Sequence, residues 1–284
     1  MIAAAVALAL AAAAIHGTWN VLVKVGGDPL TTFERASFAA AFFATAALVP
    51  AWALLGRPSL PPEAAAWCLL SSTLETAYMW LLSTAYRRGE LSVVYPIARG
   101  SAPLIAVFVA LAFIGERLQP LQLAGVGLLL VGILTVTLSQ AKGHATLPAL
   151  LTGMAIALYT SVDRIGVRLT TPWLYGWLLF ALMAIELPLS IRVASWLRGA
   201  PPRDSGLIPG WRKSSVIGAF MWAGYALVLW ALSLAPLAVV APVRETAIVA
   251  VAVWGVWRLR ERKGAVARLA GAAATLAGVV LLAV

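Results

Sequence analysis

The chain has 284 residues, of which 62% are hydrophobic and only 11% are charged, and its mean hydropathy is +0.92. A soluble domain carries about 25% charged residues, so this composition excludes an ordinary water-soluble protein. The formal net charge of +10 would favour nucleic-acid binding in a soluble protein, but here we interpret it as loop charge that orients the chain in a membrane. We expect no nucleic-acid partner.

Ten apolar segments follow one another along the chain, and each is long enough, at about 20 residues, to cross a bilayer. They cover residues 2–23, 32–55, 64–86, 91–114, 119–139, 147–166, 172–192, 214–234, 237–257 and 265–283. Little sequence remains for a soluble domain. We therefore predict an all-α membrane protein with ten transmembrane helices.

The two halves of the chain resemble each other. The matches are ELSVVYP at 90–96 with PLAVVAP at 236–242, and, more weakly, WNVLVKVG at 19–26 with YTSVDRIG at 159–166. We predict one membrane domain made of a first five-helix repeat over residues 1–140 and a second over 141–284. Because five crossings are an odd number, the two repeats must be inverted relative to each other, an arrangement found in many secondary transporters.

Basic residues are distributed unequally between the two sides of the predicted bundle. The connections after the odd-numbered helices, with their flanks, hold fifteen: Lys24, Arg35, Arg87, Arg88, Lys142, Arg192, Arg198, Arg203, Arg212, Lys213, Arg258, Arg260, Arg262, Lys263 and Arg268. The other side holds four: Arg57, Arg117, Arg164 and Arg168. By the positive-inside rule the richer side is cytoplasmic, so we predict that both termini lie outside.

Two segments resemble a known family. PLIAVFVALAFIGERLQPLQLAGVGLLLVGI at 103–133 resembles the end of an EamA repeat of the drug/metabolite transporter superfamily, with a proline, an apolar helix, Gly-Glu-Arg and a helix with spaced glycines. HGTWNVLVK at 16–24 resembles the first helix of such proteins, whereas RER at 260–262 departs from the Gly-Glu step. The resemblance implies a multi-pass protein of the bacterial inner membrane that exports small metabolites without ATP. It also implies cytoplasmic termini, and on this point we follow the loop charges instead.

Within the superfamily, the aromatic residues and intramembrane charges are most similar to amino-acid exporters of the YddG type. We therefore predict a secondary transporter that exports aromatic or apolar amino acids and similar metabolites by alternating access. Its expected partners are the small-molecule substrate, the lipid bilayer and protons. Because no GxxxxGK[ST], HExxH or GxSxG motif occurs, we expect no ATP use, no enzyme activity, no metal and no cofactor. A sugar-phosphate or nucleotide-sugar exchanger, a lipid flippase and an intramembrane enzyme remain open alternatives.

Five ionisable residues fall inside predicted helices: His16, Glu75, Arg99, Arg244 and Glu245. A charge at the bilayer centre costs about 2.5–3.5 kcal/mol on insertion scales, so such residues usually face a cavity or a partner. A guanidinium offers a planar fork to a carboxylate or phosphate, Glu75 can neutralise an ammonium or carry a proton, and His16 can titrate. We predict that all five bind substrate. The alternatives are a structural ion pair, for instance Arg99 with Glu75, and a packing histidine.

Aromatic residues deep in the helices are candidates for a cavity wall that stacks apolar substrates and holds an ammonium by cation–π contact. They are Trp19, Tyr78, Trp80, Tyr95, Trp222 and Tyr225, and the alternative for each is a position facing lipid.

Pro96, Pro103 and Pro242 are predicted hinges, because proline removes an intrahelical hydrogen bond; the alternative is a packing kink. Glycines seven residues apart in the last helix of each half predict close helix packing, namely Gly125 with Gly132 and Gly271 with Gly278.

Overall fold

The computed structural model describes residues 1–89, 91–138, 146–198, 210–247 and 265–283. Within these ranges the chain forms ten α-helices and no β-strand. The helices are α1 (Ile2–Val25), α2 (Pro29–Leu54), α3 (Pro62–Arg88), α4 (Leu91–Ala112), α5 (Pro120–Leu138), α6 (Thr146–Gly166), α7 (Pro172–Arg198), α8 (Trp211–Leu234), α9 (Leu237–Arg244) and α10 (Ala265–Ala283). The predicted all-α fold is confirmed, and each predicted segment begins within three residues of one of these helices.

The distribution of polar and apolar side chains is that of a membrane protein. Four of the described helices, α1, α2, α7 and α8, are long and apolar enough to cross a membrane, and shorter apolar stretches occur in α4, α5 and α10. Large apolar side chains are exposed on the outside, among them Phe42, Phe108, Phe113, Ile185 and Val266. Charged side chains are buried inside, among them Glu75, Arg99, Asp163 and Arg244. A surrounding lipid bilayer accounts for both the exposed apolar side chains and the buried charged ones.

Local sequence accounts for several helix starts. Proline is the first residue of α2, α3, α5 and α7. It suits this position because its φ is already helical and its missing N–H would have had no intrahelical partner. At α2 the preceding residue, Asp28, adds a cap, since its carboxylate accepts a hydrogen bond from the Thr31 backbone N–H at 2.9 Å.

The contacts between helices repeat in the two halves of the chain. If each of the first five helices is matched with its counterpart among the last five, the same pairs are in contact. Thus α3 packs on α6 as α8 packs on α1, and α2 packs on α8 as α7 packs on α3. In three further pairs a helix packs against its own counterpart: α2 with α7, α4 with α9 and α5 with α10. Helix α9 contacts α1, α4 and α6, and this central group carries most of the buried charge.

Glycines let α5 and α10 approach closely. A Cβ on Gly278 would lie 2.6 Å from the Gly125 carbonyl oxygen, and a Cβ on Gly132 would collide with the Thr275 hydroxyl. The helices would have to separate to admit either methyl group. The predicted close packing at these glycines is confirmed.

Gly278→Ala should therefore lower the free energy of unfolding by about 1–3 kcal/mol, the usual cost of an overpacked contact. Gly127→Ala on α5 is the matched control, because nothing lies within 4 Å of the Cβ that it adds. Its melting temperature should equal or exceed that of the wild type, since alanine favours the helix. Thermal unfolding in detergent micelles compares the two, and equal melting temperatures would contradict this account of the packing.

Candidate functional site

A group of buried charges lies where α4 meets the end of α9. The Arg99 guanidinium donates from Nη1 to both carboxylate oxygens of Glu245, at 3.2 and 3.3 Å. Arg244 donates from Nε to Oε1 of the same carboxylate at 2.9 Å. Each of the three residues is only 2% exposed. Two arginines therefore share one carboxylate, out of contact with solvent.

This group has one more positive charge than negative charge. Arg244 uses another donor, Nη1, on the Thr160 hydroxyl at 3.3 Å, but Nη2 of Arg99 is buried and has no hydrogen-bond partner among the described residues. A buried charge without its counterion costs several kcal/mol. An added anionic group would both neutralise the excess charge and accept a hydrogen bond from Arg99.

Helix α9 is interrupted at the same place. It ends at Arg244, and the Glu245 backbone N–H bonds to the Pro242 carbonyl at 3.1 Å, a spacing of three residues instead of the four of an α-helix. The predicted ninth segment, residues 237–257, begins with this helix, and its last part, residues 248–257, lies outside the described residues. Pro242, predicted as a hinge, lies directly before the break.

Helix α4, the counterpart of α9, is continuous. It runs from Leu91 to Ala112 through both Pro96 and Pro103. The structure thus has no helix break at either of these predicted hinges. A proline inside a membrane helix does not by itself end the helix, because neighbouring groups and small backbone adjustments can satisfy the freed carbonyl.

An aromatic-lined cavity of about 20 Å³ lies beside the charges. Its lining comes from five helices and consists of His16, Trp19, Glu75, Tyr78, Met79, Tyr159, Phe180, Met221 and Tyr225. We call it the central cavity. Tyr159 joins it to the charges, since the Arg244 guanidinium lies 6.0 Å from the centroid of its ring. A volume of this size holds about one water molecule, so the central cavity has no room for a larger ligand in this structure.

Three lining residues of the central cavity carry polar atoms that have no hydrogen-bond partner in the described part of the chain: Trp19 Nε1, Glu75 Oε1 and the Tyr78 hydroxyl. Each unsatisfied buried polar group costs about 1–3 kcal/mol. Native proteins keep few of them, so three around one cavity make it the candidate site. His16, by contrast, donates from Nδ1 to the Ala12 carbonyl of its own helix at 2.9 Å.

The alternative of a structural pair between Arg99 and Glu75 does not fit the structure. Arg99 pairs with Glu245 instead, and among the described residues no ion pair joins Glu75 to an arginine. Glu75 lies on the wall of the central cavity, whereas Arg99 does not line it.

Three predicted aromatic residues, Trp80, Trp222 and Tyr95, do not line the central cavity. Trp80 donates from Nε1 to the Ser190 hydroxyl at 2.9 Å, between α3 and α7. It follows Tyr78 by two residues, about 200° further around the helix, and so points elsewhere. Trp222 lies on the side of α8 that packs against α2, where it stacks on Phe43 with ring centroids 6.4 Å apart. Tyr95 is buried, and the Arg99 guanidinium lies 5.8 Å from the centroid of its ring.

The sequence reasoning missed the contribution of α6. Asp163, fully buried, accepts hydrogen bonds from the Tyr175 hydroxyl at 2.8 Å and from the Tyr225 hydroxyl. Tyr159 lines the central cavity and Thr160 binds Arg244. Two signals were present: an aspartate inside an apolar helix, and the alignment of Tyr159 with Trp19 between the two halves.

At one end of the bundle, which we call the Glu116 end, the carboxylate of Glu116 binds the first residues of α9. Glu116 accepts from the backbone N–H groups of Leu237 and Ala238, at 2.8 and 3.0 Å. These donors have no partner within their own helix, and the helix dipole favours a negative charge there. Arg164 donates to Glu116 at 2.9 Å and also to the Leu232 carbonyl at the end of α8.

The opposite end, which we call the Asp28 end, is held by similar contacts. Lys24 donates from Nζ to the carbonyls of Tyr86 and Gly89 at the end of α3, at 2.6 and 2.9 Å. Asp28, the cap of α2, forms an ion pair with Arg87. Polar contacts therefore join helices at both ends of the bundle.

Metal binding has no support in the part of the chain that the structure describes, where no group of three or more His, Cys, Asp or Glu side chains is placed to hold an ion.

No curated protein matches the chain. One solved crystal structure superposes on it with a TM-score of 0.73 and 15% sequence identity, over 99% of this chain and 98% of the other, a likeness that concerns the fold alone.

The sequence of the first half matches the EamA-like transporter family over residues 3–138. The resemblance expected from the Gly-Glu-Arg segment is confirmed. This family is described as one of transporters. Over residues 3–138, slightly less than half of its length, the chain is therefore similar to the EamA-like transporter family, and this similarity favours a membrane transporter of small substrates.

Proposed function

We propose that this protein is a secondary active transporter that exports amino acids with aromatic or apolar side chains, and similar small metabolites. The observation that carries the proposal is the single carboxylate shared by Arg99 and Arg244, with Nη2 of Arg99 left without a partner among the residues that the structure describes. A substrate carboxylate would neutralise the excess charge. The planar guanidinium of Arg99 suits it, because a carboxylate can accept two parallel hydrogen bonds from one arginine.

The central cavity offers the complementary feature for an ammonium group. Glu75 Oε1 has no hydrogen-bond partner within the described ranges, and Tyr78, Tyr159 and Tyr225 present their rings around it. A carboxylate and aromatic faces together bind an ammonium by charge and by cation–π attraction. An amino acid carries both the anion and the cation that this site would accept. Since the central cavity measures only about 20 Å³, substrate entry requires the surrounding helices to separate.

A phosphate substrate, as in a sugar-phosphate exchanger, suits the site less well. A phosphate monoester brings up to two negative charges, whereas the arginine pair has one positive charge in excess because Glu245 already occupies both guanidinium groups. Glu75 would add repulsion beside the site. An amino acid, with no net charge, avoids both costs.

Proton coupling forms part of this proposal. Glu75 can exchange a proton for the substrate ammonium, because the same carboxylate cannot serve both at once. His16 lies on the same cavity wall and is the second candidate for a proton carrier. Competition between the proton and the ammonium for one carboxylate would link outward movement of substrate to inward movement of a proton.

Alternating access between two inverted repeats, residues 1–140 and 141–284, is the proposed mechanism. Its support is the pairwise correspondence of helix packing and of the end contacts. Lys24 aligns with Arg164, and Tyr86 aligns with Leu232. Lys24 donates to the Tyr86 carbonyl at one end, and Arg164 donates to the Leu232 carbonyl at the other. Equivalent contacts at opposite ends are what two inverted repeats require, and their alternate opening would expose the central cavity to each side in turn.

We further propose that the protein lies in the bacterial inner membrane with the Asp28 end in the cytoplasm and both termini outside, because the connections after the odd-numbered helices, with their flanks, hold fifteen basic residues in the sequence and the other connections hold four. A periplasmic alkaline phosphatase fused after Val284 should then be active. A green fluorescent protein fused at the same position should stay dark after Sec-dependent export. The reverse pattern would contradict this orientation.

The transport proposal predicts the effect of Arg99→Lys, which keeps the charge and loses the planar fork. Uptake of L-phenylalanine into proteoliposomes should fall about tenfold or more, which corresponds to about 1.4 kcal/mol of lost binding, while the melting temperature stays near that of the wild type. Arg57→Lys, an exchange at an exposed connection, is the control and should transport normally. Unchanged L-phenylalanine transport by folded Arg99→Lys protein would reject the assigned role.

Two further variants separate substrate binding from a purely structural ion pair. Arg99→Ala leaves the Arg244–Glu245 pair electrically neutral, so folded yield should remain close to that of the wild type. Glu245→Gln leaves two buried arginines without a counterion and should destabilise the protein by about 3–5 kcal/mol. Equal destabilisation by the two changes would show that Arg99 serves the fold and not the substrate.

A further inference from the structure

A second cavity, of about 160 Å³, lies between α2, α7 and α8. Small residues on all three helices create the space, among them Ala44, Ala47 and Ala51 on α2, Gly176 on α7 and Ala226 on α8. Its walls include the indole rings of Trp173, Trp222 and Trp230, and the other lining residues are also apolar. We call it the indole-lined cavity.

The size and lining of this cavity define the chemistry that it accepts. An apolar cavity of about 150 Å³ in another protein stays dry and binds benzene, so a cavity of about 160 Å³ has room for one aromatic ring. The lining offers no charged group to a ligand. Aromatic rings also attract one another in edge-to-face and offset geometries, worth about 0.5–1.5 kcal/mol beyond burial alone.

The indole-lined cavity and the central cavity have one lining residue in common. Phe180 lines both of them and is 2% exposed. Its ring meets Tyr225 edge to face, with centroids 6.4 Å apart and an angle of 88° between the planes. A substrate with its polar groups at the central cavity and its side chain in the indole-lined cavity would therefore contact Phe180.

We infer that the indole-lined cavity is the subsite for the aromatic side chain of the transported amino acid, with Phe180 as the lining residue that it shares with the central cavity. The inference rests on the proposed function, since it assigns a second part of the same substrate. It assigns Trp222 a place in substrate binding, although this residue lies away from the central cavity. The inference also implies that the small residues of the lining determine substrate specificity, because larger side chains would fill the space that the aromatic ring of the substrate needs.

The first experiment measures ligand binding without transport. The probe is 5-fluoroindole, followed by ¹⁹F NMR on protein in detergent micelles. Ala226→Leu fills the cavity from α8, on the side that carries Trp222 and Trp230 one turn before and after it. Ala223→Leu is the matched control, since this alanine is also half-buried on α8 and does not line the cavity. Ala47→Leu fills the cavity from α2 and replaces Ala226→Leu if that variant does not fold.

We expect 5-fluoroindole to bind the wild type and Ala223→Leu, and to bind either filled variant at least about tenfold more weakly, the scale of one surplus methylene in an apolar pocket. Equal binding by filled variant and control would overturn the inference, because the probe would then occupy another place. No binding to the wild type would also overturn it, and would indicate a cavity closed to indoles or occupied by a lipid acyl chain.

The second experiment measures selectivity in proteoliposomes with L-tryptophan and L-alanine. In Ala226→Leu the KM for L-tryptophan should rise about tenfold or more, while L-alanine transport stays within about twofold of the Ala223→Leu control. Equal changes for both amino acids would overturn the subsite. If the wild type binds 5-fluoroindole as expected and transports neither amino acid, the proposed function fails, and the cavity remains a site for an aromatic ligand of another kind.

Discussion

The buried ion pair of Arg244 with Glu245, which Arg99 joins as a second cation, is the contact on which the rest of the structure depends. Three charges in a bundle that lies in lipid persist only if they meet, so α4 and α9 must cross at this depth. The interruption of α9 after Arg244 allows both Arg244 and Glu245, neighbours in sequence, to take part in one group. The surplus positive charge of this group is the physical reason for assigning an anionic substrate group to the site.

Helix α9 also connects the centre of the bundle with the Glu116 end. It has only eight residues, so it spans about 12 Å. Glu116 holds its first backbone donors, and Arg99 reaches the residue directly after its end. A shift of α9 caused by opening at Glu116 would therefore move Glu245 relative to Arg99. This geometry offers a physical route by which binding at the centre and closure at one end can influence each other.

The sequence predicted the fold well and the site only in part. Apolar segments of membrane length and prolines at helix starts are local signals, so the ten helices and most of their bounds were accessible. The buried charges were recognisable from their cost in lipid. Their pairing was not, because Arg99 and Glu245 lie 146 residues apart and only packing brings them together. The break in α9 and the roles of Tyr159 and Asp163 likewise depend on tertiary contacts, and Trp80 shows that depth along a helix does not tell which way a ring points.

The most direct test of the central claim compares the binding of L-phenylalanine and L-phenylalaninamide to the purified protein by isothermal titration calorimetry. The amide keeps the ammonium and the ring but lacks the carboxylate that Arg99 is assigned to bind. We predict that wild-type protein binds the amide at least about tenfold more weakly, a difference of about 1.4 kcal/mol, and that Arg99→Ala no longer distinguishes the two. Equal affinities of the wild type for both compounds would contradict the assignment of the shared carboxylate site to an anionic substrate group.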